Sequence, residues 1–284
     1  LIRLLLGIWA DQYGGRRVFA AVMLCAATAT WMLGYAHTYP QFLVAALFVG
    51  IAGGAFSVGV AYVSKWFPTS RQGTALGVFG AGNVGAAVTK LLAPMVMVAS
   101  GWILVSKIWA LALAATAVLF YLFSQEDPSL AQRRKSGAKP MSFRQQMMPL
   151  RNLQVWRFSL YYFFVFGGFV ALALWLPHFL TGVYKLDVRT AGILGACYSI
   201  PASLFRIVGG VLSDRIGARR VMYWTFGVSA ICTFLLAYPD THYVVKGITG
   251  DISLHLAIGV VPFTVLVFVL GFFMSLGKAA VYKH

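Results

Sequence analysis

The sequence predicts an all-α membrane protein made of two pseudo-repeated helical halves. Three observations predict it. Hydrophobic residues make up 60% of the chain and charged residues 11%, against about 45–50% and about 25% in soluble domains. Apolar stretches of about 20 residues, the length that crosses a hydrocarbon core of about 30 Å, recur along the chain. One pattern also occurs twice with the same internal spacing. It reads Arg3, Gly7, Asp11, Gly14, Arg16 and Arg17 in the first copy, and Arg206, Gly210, Asp214, Gly217, Arg219 and Arg220 in the second.

Nine apolar spans follow in order. The first, 1–10, is short, carries Arg3 and starts at Leu1 without a methionine, so the chain is expected to be a fragment. The second, 17–36, begins at the basic end of the repeated loop. The third, 41–63, runs into Tyr62-Val-Ser-Lys65-Trp-Phe and Pro68. The fourth, 73–98, is rich in glycine, and the fifth, 102–123, contains Lys107. A polar stretch at 124–155, with Glu126, Asp127, Pro128, Arg133-Arg134-Lys135 and Pro140, reads as a linker between an N-terminal half, 1–123, and a C-terminal half, 156–284. The second half holds spans at 156–180, 189–212, which contains Arg206, 219–238 and 257–281. It closes on Val281-Tyr282-Lys283-His284, an echo of Tyr62 and Lys65. The motif arginines are 203 residues apart and the closing lysines 218, so the second half carries extra residues, which fit in a loop around 239–256.

The net charge of +16 would point to nucleic acid in a soluble protein. Its distribution gives a different reading. Alternate loops place fifteen basic residues, from Arg16 and Arg17 through Arg133-Arg134-Lys135 to Arg219, Arg220 and Lys283, on one face. The other face receives Lys185, Arg189 and Lys246. That is the positive-inside asymmetry, so the basic loops are expected in the cytoplasm, and no nucleic-acid partner is expected.

Arg3 and Arg206 carry the chemistry. Each precedes its aspartate by eight residues, which at 1.5 Å per residue sets it roughly 12 Å inside the helix end, near mid-bilayer. An arginine there costs about 2.5–3.5 kcal/mol even on a lenient insertion scale, and it cannot shed its proton. Asp11, Glu126, Asp127, Asp187, Asp214, Asp240 and Asp251 all fall in loops or at helix ends. The arginines therefore need backbone carbonyls or a bound anion, and the planar fork of N–H donors suits a small planar oxyanion. Lys90 and Lys107 lie near span ends and are expected to snorkel. Lys278 follows Gly277 on the last span and is a candidate for a coupling role.

Other chemistries find less support. Gly80-Ala-Gly82-Asn83-Val-Gly85 has the G-x-G-x-x-G string of a dinucleotide fold, but it lies inside an apolar helix with no preceding strand. Close helix packing explains the glycines, and Asn83 is then an amide in search of partners. His37, His178, His242, His255 and His284 fall in loops or near span ends, with no spacing that pairs them as haem or metal ligands. Cys25, Cys197 and Cys232 sit in apolar spans as small packing residues. No nucleophile–base arrangement is visible, so the chain is not expected to be an enzyme or to hold a cofactor or metal.

The two Gly-x-x-x-Asp-x-x-Gly-x-Arg-Arg loops resemble the signature loops of the major facilitator superfamily, between its second and third and its eighth and ninth helices. The Gly80–Gly85 segment is similar to the nitrate signature of that superfamily's nitrate/nitrite porter family, and Leu276-Gly277-Lys278-Ala-Ala-Val-Tyr282-Lys283 resembles a variant of its counterpart. The resemblance implies a twelve-helix fold, of which about nine helices are expected here. It implies anion binding by Arg3 and Arg206, with Phe56, Tyr162, Phe166, Gly82 and Asn83 lining the site. It implies movement of nitrate and nitrite by alternating access in a cytoplasmic (inner) membrane, with lipid as the surroundings, and no obligate protein partner is evident. Because two uncompensated buried charges make the empty site costly to occlude, exchange of nitrate for nitrite is the expected mode. Proton-coupled nitrate symport through Lys278 is the alternative, and a carrier of another small organic anion a third reading.

Overall fold

A computed structural model describes residues 2–128, 130, 132, 136, 143–248 and 250–283. The linker residues Arg133, Arg134, Lys135 and Lys139, with Leu1 and His284, lie outside the described residues, as do the side chains of Lys90 and Arg144. The chain divides into two compact units, Leu1–Phe79 with Val88–Trp156, and Gly80–Ala87 with Arg157–His284.

The first unit is built on α1 (Ile2–Tyr13), α2 (Gly15–Leu33), α3 (Tyr39–Gly50) and α4 (Ala55–Ser64), then α5 (Gln72–Ala81), α6 (Val84–Ser100) and α7 (Trp102–Phe123). Residues 80–87, the end of α5 and the start of α6, group with the second unit. Gly14 separates α1 from α2 with φ 96°, a left-handed backbone that glycine adopts without the Cβ penalty. Thr38 opens α3, where the Gln41 side chain accepts from the backbone N–H groups of His37 and Thr38 at 2.8 and 3.2 Å. Leu6 and Ala10 of α1, Val18 and Val22 of α2 and Val58 of α4 form a buried core. Helices α2 and α7 pack against each other, Phe19 meeting Phe120 with centroids 5.1 Å apart. Small side chains, Ala26 and Ala29 on α2 and Ala110 and Ala117 on α7, are among their buried residues. Such small side chains let apolar helices approach closely where no hydrophobic drive exists between them.

The second unit contains α8 (Leu153–Tyr162, begun in the first), a π-helical turn at Phe163–Gly167, α9 (Gly168–Gly182), α10 (Val188–Ser199), α11 (Arg206–Ile216) and α12 (Ala218–Leu236). Strands β1 (Thr241–Lys246) and β2 (Asp251–Leu256) and helix α13 (Val260–Ala280) complete it. Asp187 caps α10 by accepting from the Thr190 N–H at 3.0 Å, and its hydrogen bonds to Thr190 hold its carboxyl below the usual carboxylate value. Gly217 repeats the left-handed turn of Gly14, with φ 91°. Helix α13 is the centre of this unit, buried without interruption from Met274 to Ala280. At Gly209 on α11 an added Cβ would fall 2.5 Å from the Leu276 Cα, so glycine sets how closely α11 and α13 approach.

Among the described residues six helices are long and apolar enough to cross a membrane: Gly15–Leu33, Tyr39–Ser64, Trp102–Phe123, Leu153–Gly182, Val188–Ile216 and Val260–Lys283. The other three expected spans are helical but differ. Helix α1 has 12 residues. Helix α12 has 19 but opens on Arg219 and Arg220, which lowers its apolar character. The expected span 73–98 is interrupted, because α5 ends at Ala81 and α6 begins at Val84, with turn residues Gly82 and Asn83 between them. Both are weak helix formers in a segment with three glycines in six residues.

The expected loop at 239–256 is also different. It holds an antiparallel hairpin pairing Thr241 with Leu256 through to Lys246 with Asp251. Many large apolar side chains point outward, among them Leu111, Phe123, Leu174, Phe234 and Val261. That is the face a lipid-embedded bundle presents, and the chain is a multi-pass membrane protein.

Candidate functional site

In the second unit the first turn of α11 places Arg206 in the interior, with none of its surface exposed. Its Cζ lies 5.5 Å from the Tyr282 ring centroid, a cation–π distance. The hydroxyls of Tyr162 and Tyr282 both lie close to the guanidinium. The rings form a continuous set, Tyr162 stacking on Phe166 at 5.1 Å and 7° and meeting Tyr282 edge-on at 5.0 Å. Tyr162 ends α8, Phe166 sits in the π turn and Tyr282 follows α13, so three elements contribute. The π turn changes which side chains face inward along an otherwise helical span, and such turns recur at functional sites.

Two further groups complete this cluster. Gly80, at the end of α5, packs so closely on Arg206 that an added Cβ would overlap the guanidinium. Lys278 of α13 is fully buried. Its Nζ donates to the Ala202 carbonyl at 3.0 Å and lies 3.2 Å from the Phe169 ring centroid. Lys278 and Arg206 are close enough for their charges to interact. Gly82 and Asn83 form the turn between α5 and α6 in the same unit, where the Asn83 N–H donates to the Gly80 carbonyl at 3.2 Å.

The first unit carries the repeat's other arginine. Arg3 lies on the exposed side of α1, and its Nε donates to the Gly53 carbonyl at 3.1 Å. Gly53 belongs to a 3-10 turn, Ile51–Gly54, that leads into α4. Ser57 donates to the carbonyl of Gly54 at 2.7 Å and to that of Arg3 at 3.5 Å. Phe56 packs on Phe79 with centroids 5.3 Å apart. Lys107 lies 5.3 Å from the Tyr35 ring and 5.7 Å from that of Trp31, so aromatic faces receive its charge.

The repeated loops are tied down in parallel ways. Asp11 accepts from Lys65 at 3.0 Å and Asp214 pairs with Lys283 at 2.7 Å, so each motif aspartate meets the closing lysine of its own half. Lys65 also binds Asp127 of the linker at 2.7 Å, and that carboxylate is buried. Burial alone would lower the Lys65 pKa, but hydrogen bonds to Asp127 and Asp11 outweigh it and raise the pKa above the usual lysine value. Arg16 donates to the Tyr121 carbonyl from Nε at 3.0 Å and again from Nη2, with its Cζ 4.5 Å from the Tyr121 ring centroid. Arg17 approaches Glu126 at 3.8 Å. Arg219 and Arg220 of the second copy are exposed, and Gly7 of the first copy has open space where a Cβ would stand.

Sequence reasoning brought Arg206, Tyr162, Phe166 and Lys278 forward, and the second unit gathers them. It missed Tyr282 and Gly80 as members of the cluster. Both stood in quoted motifs, but their service to Arg206 depends on tertiary packing that spacing does not encode.

This architecture matches known proteins along its whole length. The Major Facilitator Superfamily matches residues 1–283. The probable nitrate/nitrite antiporter NarK1 of Thermus thermophilus is 43% identical over 298 residues, which cover 100% of this chain and 66% of that protein. The nitrite extrusion protein of Bacillus subtilis is 30% identical over 241 residues, 85% of this chain and 59% of that one. The chain thus spans less than two thirds of the length of these relatives. Among solved structures, the human organic anion transporter MFSD10 superposes with a TM-score of 0.69 at 17% identity, covering 99% of this chain and 66% of that one. The proton:xylose symporter XylE does so at 0.63 and 14%, covering 99% and 69%, so these two speak for the fold alone. With duplicated loops, paired helical halves and relatives of this kind, the chain belongs to the Major Facilitator Superfamily, in its NarK-like nitrate/nitrite porter family.

Proposed function

We propose that this chain forms the core of a carrier that exchanges nitrate for nitrite across a cytoplasmic membrane by alternating access. The observation that carries the reading is the fully buried Arg206 with Lys278 beside it and Tyr162, Tyr282 and Phe166 around it. Two buried cations that repel each other are relieved by an incoming anion, and a planar guanidinium offers parallel donors to a planar oxyanion. The aromatic faces around the guanidinium suit a flat ligand and exclude water. Arg3, the repeat counterpart in the first unit, and Phe56 are the corresponding candidates there, while Gly82 and Asn83 stand at the break in the glycine helix.

The same features argue for exchange. Occluding an empty site that holds two cations is costly, and occluding a loaded one is cheaper. Reorientation therefore proceeds best with an anion aboard. The relatives named for nitrate and nitrite transport support this choice of substrate. The basic loops face the cytoplasm in this reading, and the protein acts as a carrier without chemistry of its own.

Uptake of labelled nitrate into proteoliposomes tests the proposal, with vesicles preloaded with nitrite or left empty. Uptake should require internal nitrite and ignore an imposed pH gradient. Arg206→Lys keeps the charge but loses the planar fork and should lower uptake by about 10–100-fold. Equal uptake into empty vesicles would refute exchange. A second reading, proton-coupled symport, draws on the burial of Lys278 beside Arg206. Under it, Lys278→Gln abolishes a pH-gradient dependence that the parent displays.

A further inference from the structure

We propose that the hairpin between α12 and α13 carries a binding site for a divalent transition-metal ion of the zinc, nickel or copper type, held by His242, His255 and Asp240. The carrier reading makes no use of these residues, and they lie on the far side of α12 from the Asp214 loop, a helix of 19 residues away.

The hairpin register makes the site. His242 of β1 and His255 of β2, thirteen positions apart in the chain, are direct cross-strand partners. Directly opposed side chains in an antiparallel pair project from the same face of the sheet. The two imidazoles lie nearly parallel, with centroids 4.1 Å apart and 14° between their planes. Asp240 stands two residues before His242, and its Oδ1 is 2.6 Å from Nε2 of His255. One ligand atom from each of the three side chains lies within 4.8 Å of the others.

The donor chemistry selects the ion. Imidazole nitrogen and carboxylate oxygen together suit zinc, copper and nickel, whereas calcium and magnesium prefer oxygen alone. Donors at about 2.0–2.1 Å from a tetrahedral zinc stand about 3.4 Å apart. The three groups are exposed, so rotation of their side chains closes the remaining gap while the paired backbone stays in place. With all three side chains bound, one position of a tetrahedral ion is left for water, and with the two histidines alone, two are left. Asp240 can act as a ligand itself or hold His255 in the tautomer that presents its other nitrogen, the carboxylate–histidine arrangement common around zinc. A metal bound there joins β1 to β2 through side chains as well as through the backbone.

The test titrates Zn2+ alone into the purified protein, prepared without a polyhistidine tag, by isothermal calorimetry, with the Co2+ visible spectrum as a second readout. One saturating equivalent is expected. His242→Ala and His255→Ala should abolish it, and Asp240→Asn should weaken it by about 10–100-fold. His255→Cys, which restores a ligand, should retain binding and shift the Co2+ spectrum, a result that a purely structural role for the histidine stack would not give. His37→Ala and His178→Ala should change nothing. Absence of saturable binding, or binding indifferent to all three hairpin substitutions, overturns the proposal.

Discussion

Gly80 shows how much rests on a single methyl group. An added Cβ would overlap the Arg206 guanidinium, whereas at Gly85, five residues on, it would meet nothing within 4 Å. Gly80→Ala should therefore displace Arg206 and cut nitrate uptake more than about tenfold, with an overpacking cost of about 1–3 kcal/mol visible in thermal unfolding. Gly85→Ala should leave both close to the parent. If the two alanine variants behave alike, the packing of Gly80 is not what shapes the site. At this scale the sequence was informative about charge and silent about company. A guanidinium inside an apolar run stands out in any reading of the chain, because its desolvation is expensive wherever it points. Tyr282 did not stand out, since one tyrosine near a helix end looks like an interfacial anchor until packing sets its ring 5.5 Å from Arg206.

Among the elements, the lysines that close each half show the same division. Their echo was legible as sequence, but their bonds to Asp11 and Asp214 were not, because salt bridges spanning 54 and 69 residues are settled by helix packing. Lys65 does more than its counterpart, since it also neutralises Asp127, whose side chain is 2% exposed. Lys65→Met should leave that carboxylate buried without its cation and destabilise the protein by about 3 kcal/mol, while adding Asp127→Asn should recover part of the loss. The pH dependence follows from the raised pKa of Lys65. Its stabilisation is complete below the ordinary value of 10.5 and is lost only as pH rises through the higher folded value. The stability difference between parent and Lys65→Met should then stay flat from about pH 6 to about 9, measured by thermal unfolding in detergent. The hairpin, by contrast, was legible and went unread. Thr241-His-Tyr-Val-Val-Lys246 is a β-prone run followed by Gly247 and Gly250, a strand-and-turn signal.

For the molecule as a whole, membership and architecture came from patterns that repeat, and repetition is what a single sequence displays best. Among the described residues six helices meet the length and apolarity of a span, and the remainder of the expected nine differ for local reasons, among them basic residues at the start of α12 and glycine with asparagine between α5 and α6. The distribution of charge predicts an orientation. In a variant freed of Cys25, Cys197 and Cys232, a cysteine introduced at Val244 in the hairpin should react with an impermeant maleimide added outside intact cells. One introduced at Gln145 in the linker should react only after the membrane is opened. Labelling in the reverse order would invert the topology and place the hairpin in the cytoplasm.

The π turn at Phe163–Gly167 has a genetic meaning as well as a geometric one. A helix that widens for one turn houses one residue beyond what the regular spiral needs for the same rise, the footprint of a single-codon insertion. Removing one residue from that turn would restore the regular spiral and rotate everything before it by about 100°. Tyr162 would swing away from Arg206 while the span kept its length, its apolarity and its fold. In descendants of this gene, an in-frame deletion of one codon there is thus a route by which a carrier could lose its ligand and keep its shape.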